Sequence, residues 1–168
     1  AAGDPFGNDQ VGIIVTEAAG NTIGGVDPGA GNTIAWNGYL GVYVWSGEGN
    51  SILGNSIHDN VHLGIELEPQ GPVANDVGDW DAGPNRGQNY PVVTSALVSG
   101  SDLAIEGFLE ARPSTEYRVE LFSNPDFDPT GVGEGESFLG AVDVATGADG
   151  RASFSAPVPA VRGGQVVS

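Results

Sequence analysis

Gly12-Ile13-Ile14-Val15, Gly41-Val42-Tyr43-Val44 and Gly64-Ile65-Glu66-Leu67 are three versions of one phrase, a glycine followed by a short alternating segment. Gly64 follows Gly41 by 23 residues, and Gly41 follows Gly12 by 29. A second phrase locates the difference. Asn21-Thr22-Ile23 returns 29 residues later as Asn50-Ser51-Ile52, whereas Asn32-Thr33-Ile34 returns 23 residues later as Asn55-Ser56-Ile57. Six extra residues therefore fall at Val26–Gly31, a turn-rich insertion on one repeat. A period of 23 without helical periodicity predicts a solenoid of β coils, with three short strands in each coil. The alternation assigns faces, because successive side chains of a strand point to opposite sides. Ile13 and Val15, Val42 and Val44, and Ile65 and Leu67 are expected to point inward and stack. Ile14, Tyr43 and Glu66, then Thr16, Trp45 and Glu68, are expected on the outer face. Asn21 with Asn50, and Asn32 with Asn55, fall at equivalent corners, where stacked amides can form ladders.

The rest of the composition agrees with an all-β chain. In 168 residues there are 28 glycines and 11 prolines, and charged residues make up only 16%. Polarity comes from Gly, Asn, Ser, Thr and Asp, the residues of turns, while Val and Ile are frequent. The absence of cysteine excludes disulfides, thiolate catalysis and Cys-based zinc sites. Acidic side chains number 22 against 5 basic ones, all arginine, for a net charge of -17. Such a surface argues against nucleic acid and anionic membranes as partners, since phosphate contact needs cations. No apolar run approaches the roughly 20 residues of a membrane span. The self-repulsion is expected to be relieved by salt or by bound calcium.

After Glu68 the repeat stops. Prolines and glycines mark residues 69–90 as a loop joining a coil segment, 1–68, to a second module, 91–168. The loop holds Asp76, Asp79, Asp81 and Asn85, an oxygen-rich set suited to calcium. It lacks the distal glutamate of an EF-hand, and its carboxylates serve equally well as caps for backbone amides. Asn124, Asp126, Asp128, Glu134 and Glu136 form a second, looser acidic group. His58 and His62 are four residues apart, but in a coil rather than a helix that spacing does not bring them onto one metal. From Pro91 onward, alternating segments at 92–98, 102–109, 116–122, 137–145, 151–156 and 165–168 predict an antiparallel, immunoglobulin-like sandwich. Its last strand reaches the chain end, compatible with truncation.

Several of these segments together resemble the right-handed parallel β-helix repeat proteins of bacteria, which are mostly secreted or surface polypeptides. The likeness is carried by Asn21-Thr22-Ile23-Gly24-Gly25, by Asn32-Thr33-Ile34-Ala35-Trp36-Asn37-Gly38 and by the run from Gly49 to Asn60. It extends through Leu63-Gly64-Ile65-Glu66-Leu67, the linker from Asn75 to Pro91, and Phe138-Leu139-Gly140. The resemblance implies two to three coils followed by a sandwich module, at the C-terminal end of a longer solenoid. It implies an extracellular or cell-surface location and, as partner, the rest of the parent chain.

Two functions follow as expectations. One is a non-catalytic structural or adhesive part of a larger protein, stabilised by calcium through Asp76, Asp79, Asp81 and Asn85. The other is a fragment of a carbohydrate-active enzyme, since lyases and hydrolases of this fold work on the outer face of one sheet. Glu66 and Glu68 would then be the acid and base, roughly 7 Å apart along a strand. Tyr43 and Trp45 would stack on a sugar of a polysaccharide; the preferred alternative is that these aromatics are covered by the linker around Trp80 or by the second module. Against that reading, no lysine or arginine precedes Arg86 to handle an acidic sugar. An exposed coil edge also makes a homodimer conceivable.

Overall fold

Seven three-residue strands make up the first half: β1 (Ile13–Val15), β2 (Thr22–Gly24), β3 (Thr33–Ala35), β4 (Val42–Val44), β5 (Ser51–Leu53), β6 (Ser56–His58) and β7 (Ile65–Leu67). The computed structural model describes residues 6–128, 132–160 and 165–168. Residues 1–5 of the predicted coil segment, and 129–131 and 161–164 of the predicted second module, lie outside the described residues. All pairing in this half is parallel and in the register of the repeat. Ile13 faces Val42 and Val42 faces Ile65 in the sheet β1-β4-β7. Ile23 faces Ile52 in β2-β5, and Ile34 faces Ile57 in β3-β6. The chain thus visits three sheets in turn, returns to the first, and lays each new strand beside its counterpart.

Glycine precedes the strands of the first sheet because successive turns of chain meet there. A Cβ on Gly41 would lie 2.5 Å from the Gly64 carbonyl oxygen and 2.8 Å from a methyl of Ile57. Between the sheets sits a small aliphatic stack of Ile34, Val42 and Ile57, with Ile13, Ile23 and Ile52 against it. The insertion spans the connection between β2 and β3, whereas β5 and β6 are joined through Gly54 and Asn55 alone.

The corners carry asparagine ladders. Asn21 donates both its backbone N–H (3.1 Å) and its Nδ2 (2.8 Å) to Oδ1 of Asn50. Asn32 does the same to Asn55, at 3.0 and 2.9 Å. A third ladder runs Asn8, Asn37, Asn60, with Asn37 donating to Oδ1 of Asn60 through N–H (3.1 Å) and Nδ2 (2.7 Å). Each lower amide reaches back as well: Nδ2 of Asn50, Asn55 and Asn60 donates to the carbonyls of Ala18, Ile23 and Ile34. A buried amide must have its donors and acceptor matched, so these ladders fix the register in a way aliphatic contact cannot.

The second half is antiparallel. It contains β8 (Val92–Ser99), β9 (Asp102–Glu110), β10 (Glu116–Asn124), β11 (Ser137–Ala145), β12 (Arg151–Pro159) and β13 (Val166–Val167). They form two three-stranded sheets, β12-β9-β8 and β11-β10-β13. Strict alternation along β12 buries Ala152, Phe154, Ala156 and Val158, which meet Leu103, Ile105 and Leu109 of β9 and Val119 and Leu121 of β10 in one core. A short 3-10 turn, Pro84–Gly87, lies in the linker. Among the described residues no helix is long and apolar enough to cross a membrane.

Exposure along the first sheet departs from simple alternation. Ile65 is in register with Val42 as expected but is 45% exposed, because no strand follows β7 in its sheet and its side chain lines a groove between the halves. Tyr43 and Glu66, on the outer side of their strands, are only 3% and 6% exposed, because the chain after β7 folds back over them; for Tyr43 this is the covered reading.

Candidate functional site

The outer face of β4 and β7 is where sequence pattern places the candidate acid, base and aromatics. Tyr43 and Glu66 are paired across the two strands. Glu66 is buried, and its carboxylate accepts the backbone N–H of Gly71. Gly71 adopts φ 99, the left-handed region that lets the chain turn back sharply enough to bring this amide down. The Tyr43 hydroxyl donates to the Glu68 carboxylate, and Tyr39 donates to Gln70 Oε1 at 3.0 Å. Burial, then the Glu68 hydrogen bond, holds the Tyr43 hydroxyl above its usual range, so it remains a donor. Trp45 packs edge-on against Tyr43 with ring centres 5.6 Å apart and stays 51% exposed. Both glutamates and the tyrosine are therefore engaged by protein groups, and only Trp45 of the four offers a free face.

The described arginines are committed elsewhere. Arg86 pairs with Glu48 at 2.7 Å, Arg118 with Glu120 at 3.0 Å, and Arg151 with Glu110 at 3.5 Å. Arg112 donates to the carbonyls of Asp79 and Asp81 and lies over the Trp80 ring. The two histidines take separate aromatic partners, Trp36 for His58 and Tyr39 for His62.

The linker disperses its oxygen-rich set. Asp79 is 2% exposed, and its Oδ1 accepts the Asn89 N–H at 3.0 Å. Burial raises its carboxyl above the ordinary range; the Asn89 bond opposes this, and the nearby Asp76 and Asp81 charges add to it. Asn89 ties the loop together: its Oδ1 accepts from Asp76 N–H, and its Nδ2 donates to the carbonyls of Asp76 and Glu110. The side chains of Asp76 and Asp81 point to solvent, whereas Asn85 turns to the coils. Among the described residues no group of three or more His, Cys, Asp or Glu side chains is arranged to hold a metal ion.

A dense polar constellation lies beside the last parallel strands, β5 and β6. There Asn50 and Asn60 have donors and no following parallel strand to receive them. Asn85 supplies the acceptor for one ladder: its Oδ1 takes the Asn50 N–H at 2.9 Å, and its Nδ2 returns a bond to the Asn50 carbonyl at 2.7 Å. Glu134 supplies another: Oε1 takes Nδ2 of Asn60 at 2.8 Å, and Oε2 takes its N–H at 3.2 Å. One carboxylate thus stands to Asn60 as the Asn60 amide oxygen stands to Asn37. Burial raises the Glu134 carboxyl, with the Asn60 bonds acting the other way. Beside it, Ile57 and Gly135 exchange two backbone bonds of 2.7 and 2.8 Å, an antiparallel bridge that closes the edge of β6. Asn124 of β10 anchors this segment, donating to the Glu134 carbonyl at 2.7 Å and accepting from Glu136 N–H at 2.9 Å. Glu120 adds an acceptor for Gly54 N–H at 2.7 Å.

Sequence pattern predicted two ladders and missed both the third and the caps. The third was available, since Asn8, Asn37 and Asn60 follow the same 29 and 23 spacing as the strands. Glu134 carried no such signal: it lies 74 residues from Asn60 and outside the repeat. The sequence matches no protein-family model and no curated protein.

Proposed function

We propose that this chain is a non-catalytic structural or adhesive segment of a larger secreted or cell-surface protein. In this reading it is a short right-handed parallel β-helix of two to three coils, followed by an immunoglobulin-like sandwich. The observation that carries it is the closed outer face of the first sheet: Glu66 is spent on Gly71 and Glu68 on Tyr43. General acid–base catalysis needs a carboxyl within reach of substrate and free to exchange a proton. The decisive experiment is an assay against anionic and neutral polysaccharides, with Glu66→Gln as control. Absence of turnover is expected; turnover abolished by Glu66→Gln would replace this reading with the enzymatic one.

Calcium belongs to the same proposal, as the ion that relieves a charge of -17 at the solvent-facing carboxylates of the linker, Asp76 and Asp81. Melting in calcium is then higher than in chelator at equal ionic strength, and identical melting removes calcium from the proposal.

A further inference from the structure

β8 is the outer strand of the sheet β12-β9-β8, and among the described residues it pairs with β9 alone. Every second N–H and C=O along it therefore points away from the ladder. Long open edges are usually blunted by charge. β9, β10, β11 and β12 each carry acidic or arginine side chains, but β8, Val-Val-Thr-Ser-Ala-Leu-Val-Ser, carries none in a chain of charge -17. Its register shifts between Val93 and Ser95 and is regular from there on. Both faces of that regular part are apolar and uncovered. Ala96 and Val98 stand opposite Ile105 and Leu103, two residues of the core. Ala96 is nevertheless exposed and Val98 is 70% exposed. Among the described residues the core takes no side chain from β8, so the opposite sheet stops short of it. On the other face Leu97 is 66% exposed.

We propose that this edge is a self-association surface, where β8 of a second copy of the chain pairs antiparallel about a two-fold axis through Leu97. Leu97 faces its own counterpart on the outer side, and Ala96 faces Val98 of the second copy on the core side. Ala96 and Val98 lie two residues apart, so their backbone groups point the same way and meet as an antiparallel ladder requires. Two three-stranded sheets become one of six, and both apolar edges are covered. The occupant follows from charge. β8 offers no charge by which to select a partner of opposite sign, whereas an uncharged strand of its own kind matches it on both faces. The nearest acids, Asp102 and Glu106 of β9, stand one strand back. Across the axis Asp102 lines up with Glu106 of the second copy at three strand spacings, roughly 14 Å. That exceeds the screening length of roughly 8 Å at physiological ionic strength, so added salt removes the remaining repulsion. Pairing therefore strengthens with salt, the opposite of what a cationic partner would do.

The inference is independent of the functional reading above. Sedimentation of the full chain over a range of concentrations tests it, in about 0.05 M and about 0.5 M salt. A reversible monomer–dimer equilibrium is expected, tighter by about threefold or more in the higher salt. Amide exchange along β8 slows as protein concentration rises. Leu97→Lys sets two like charges opposite each other on the axis and is expected to abolish the dimer. Because Leu97 is exposed, the melting temperature of the monomer stays as it was. Val61→Lys, at a similarly exposed position in the first half, changes the net charge equally and leaves the dimer intact. A monomer at every concentration and salt overturns the proposal, as does a dimer that survives Leu97→Lys, that Val61→Lys dissolves or that salt weakens. So does a chain that stays monomeric while an alternating lysine–valine peptide protects β8.

Discussion

The two halves of this chain are held by different physics. Among the described residues, the second half gathers its eleven buried apolar residues into one core, whereas the first half divides its nine between a central stack of three, a second cluster of Leu40, Tyr43 and Leu63, and single positions. To this divided apolar packing the first half adds amide ladders, in which Asn37, Asn50, Asn55 and Asn60 each both donate and accept. Apolar contact is non-directional and tolerates small slips, whereas a matched donor–acceptor column tolerates none. The second half, with its single core, is therefore expected to be the more resistant to unfolding, and the first half to carry most of the positional specificity.

The bluntest way to break this contrast is Leu121→Ala. Leu121 is 1% exposed in the shared core of the two antiparallel sheets, and a loss of about 3–5 kcal/mol is expected in urea unfolding. Asn50→Ala attacks the other half. It removes the acceptor of two bonds from Asn21 and the donor to Ala18, and an expected cost of about 2–3 kcal/mol would show that a corner amide rivals a core leucine. Glu134→Gln is milder, about 1–2 kcal/mol, because one acceptor oxygen stays for Asn60 while the other becomes a donor. Amide exchange should accelerate first at Ile57 and Asn60, ahead of β9 and β10.

The smallest effect sharpens the comparison through pH. Burial raises the carboxyls of Asp79 and Glu134 above their ordinary values of 3.8 and 4.5. The folded chain therefore binds these protons more tightly than the unfolded chain. That contribution is full below the ordinary values and is lost as pH rises through the raised ones. Melting temperature should thus fall between about pH 4 and neutrality. Asp79→Asn keeps an acceptor for Asn89 and sheds the buried charge, so it should leave stability at neutral pH within about 1 kcal/mol and flatten the slope.

The repeat was legible because stacking copies a local pattern, so spacing alone placed β1 to β7 and the two ladders through Asn50 and Asn55. The strands of the second half were legible from alternation, as in Arg151–Pro159. The groups that join the halves were not. Glu134 and Asn85 sit in acidic, turn-rich segments whose composition reads as calcium ligands or simple loop. Nothing local says that a carboxylate will stand in for an amide oxygen 74 residues away. The burial of Tyr43 was expected, but not the segment that buries it. Alternation gives the side of a strand, not which loop, here Glu68–Gly71, will lie across it.

The Glu134 cap has a consequence for self-association. A column of like strands with matched amides is a template that adds units of its own kind without limit, the logic of a cross-β filament. Here one carboxylate and one antiparallel bridge cover the edge of β6, while β5 and β7 remain the outer strands of their sheets. End-to-end addition on that side would have to displace Glu134, a side chain from the antiparallel half of the chain.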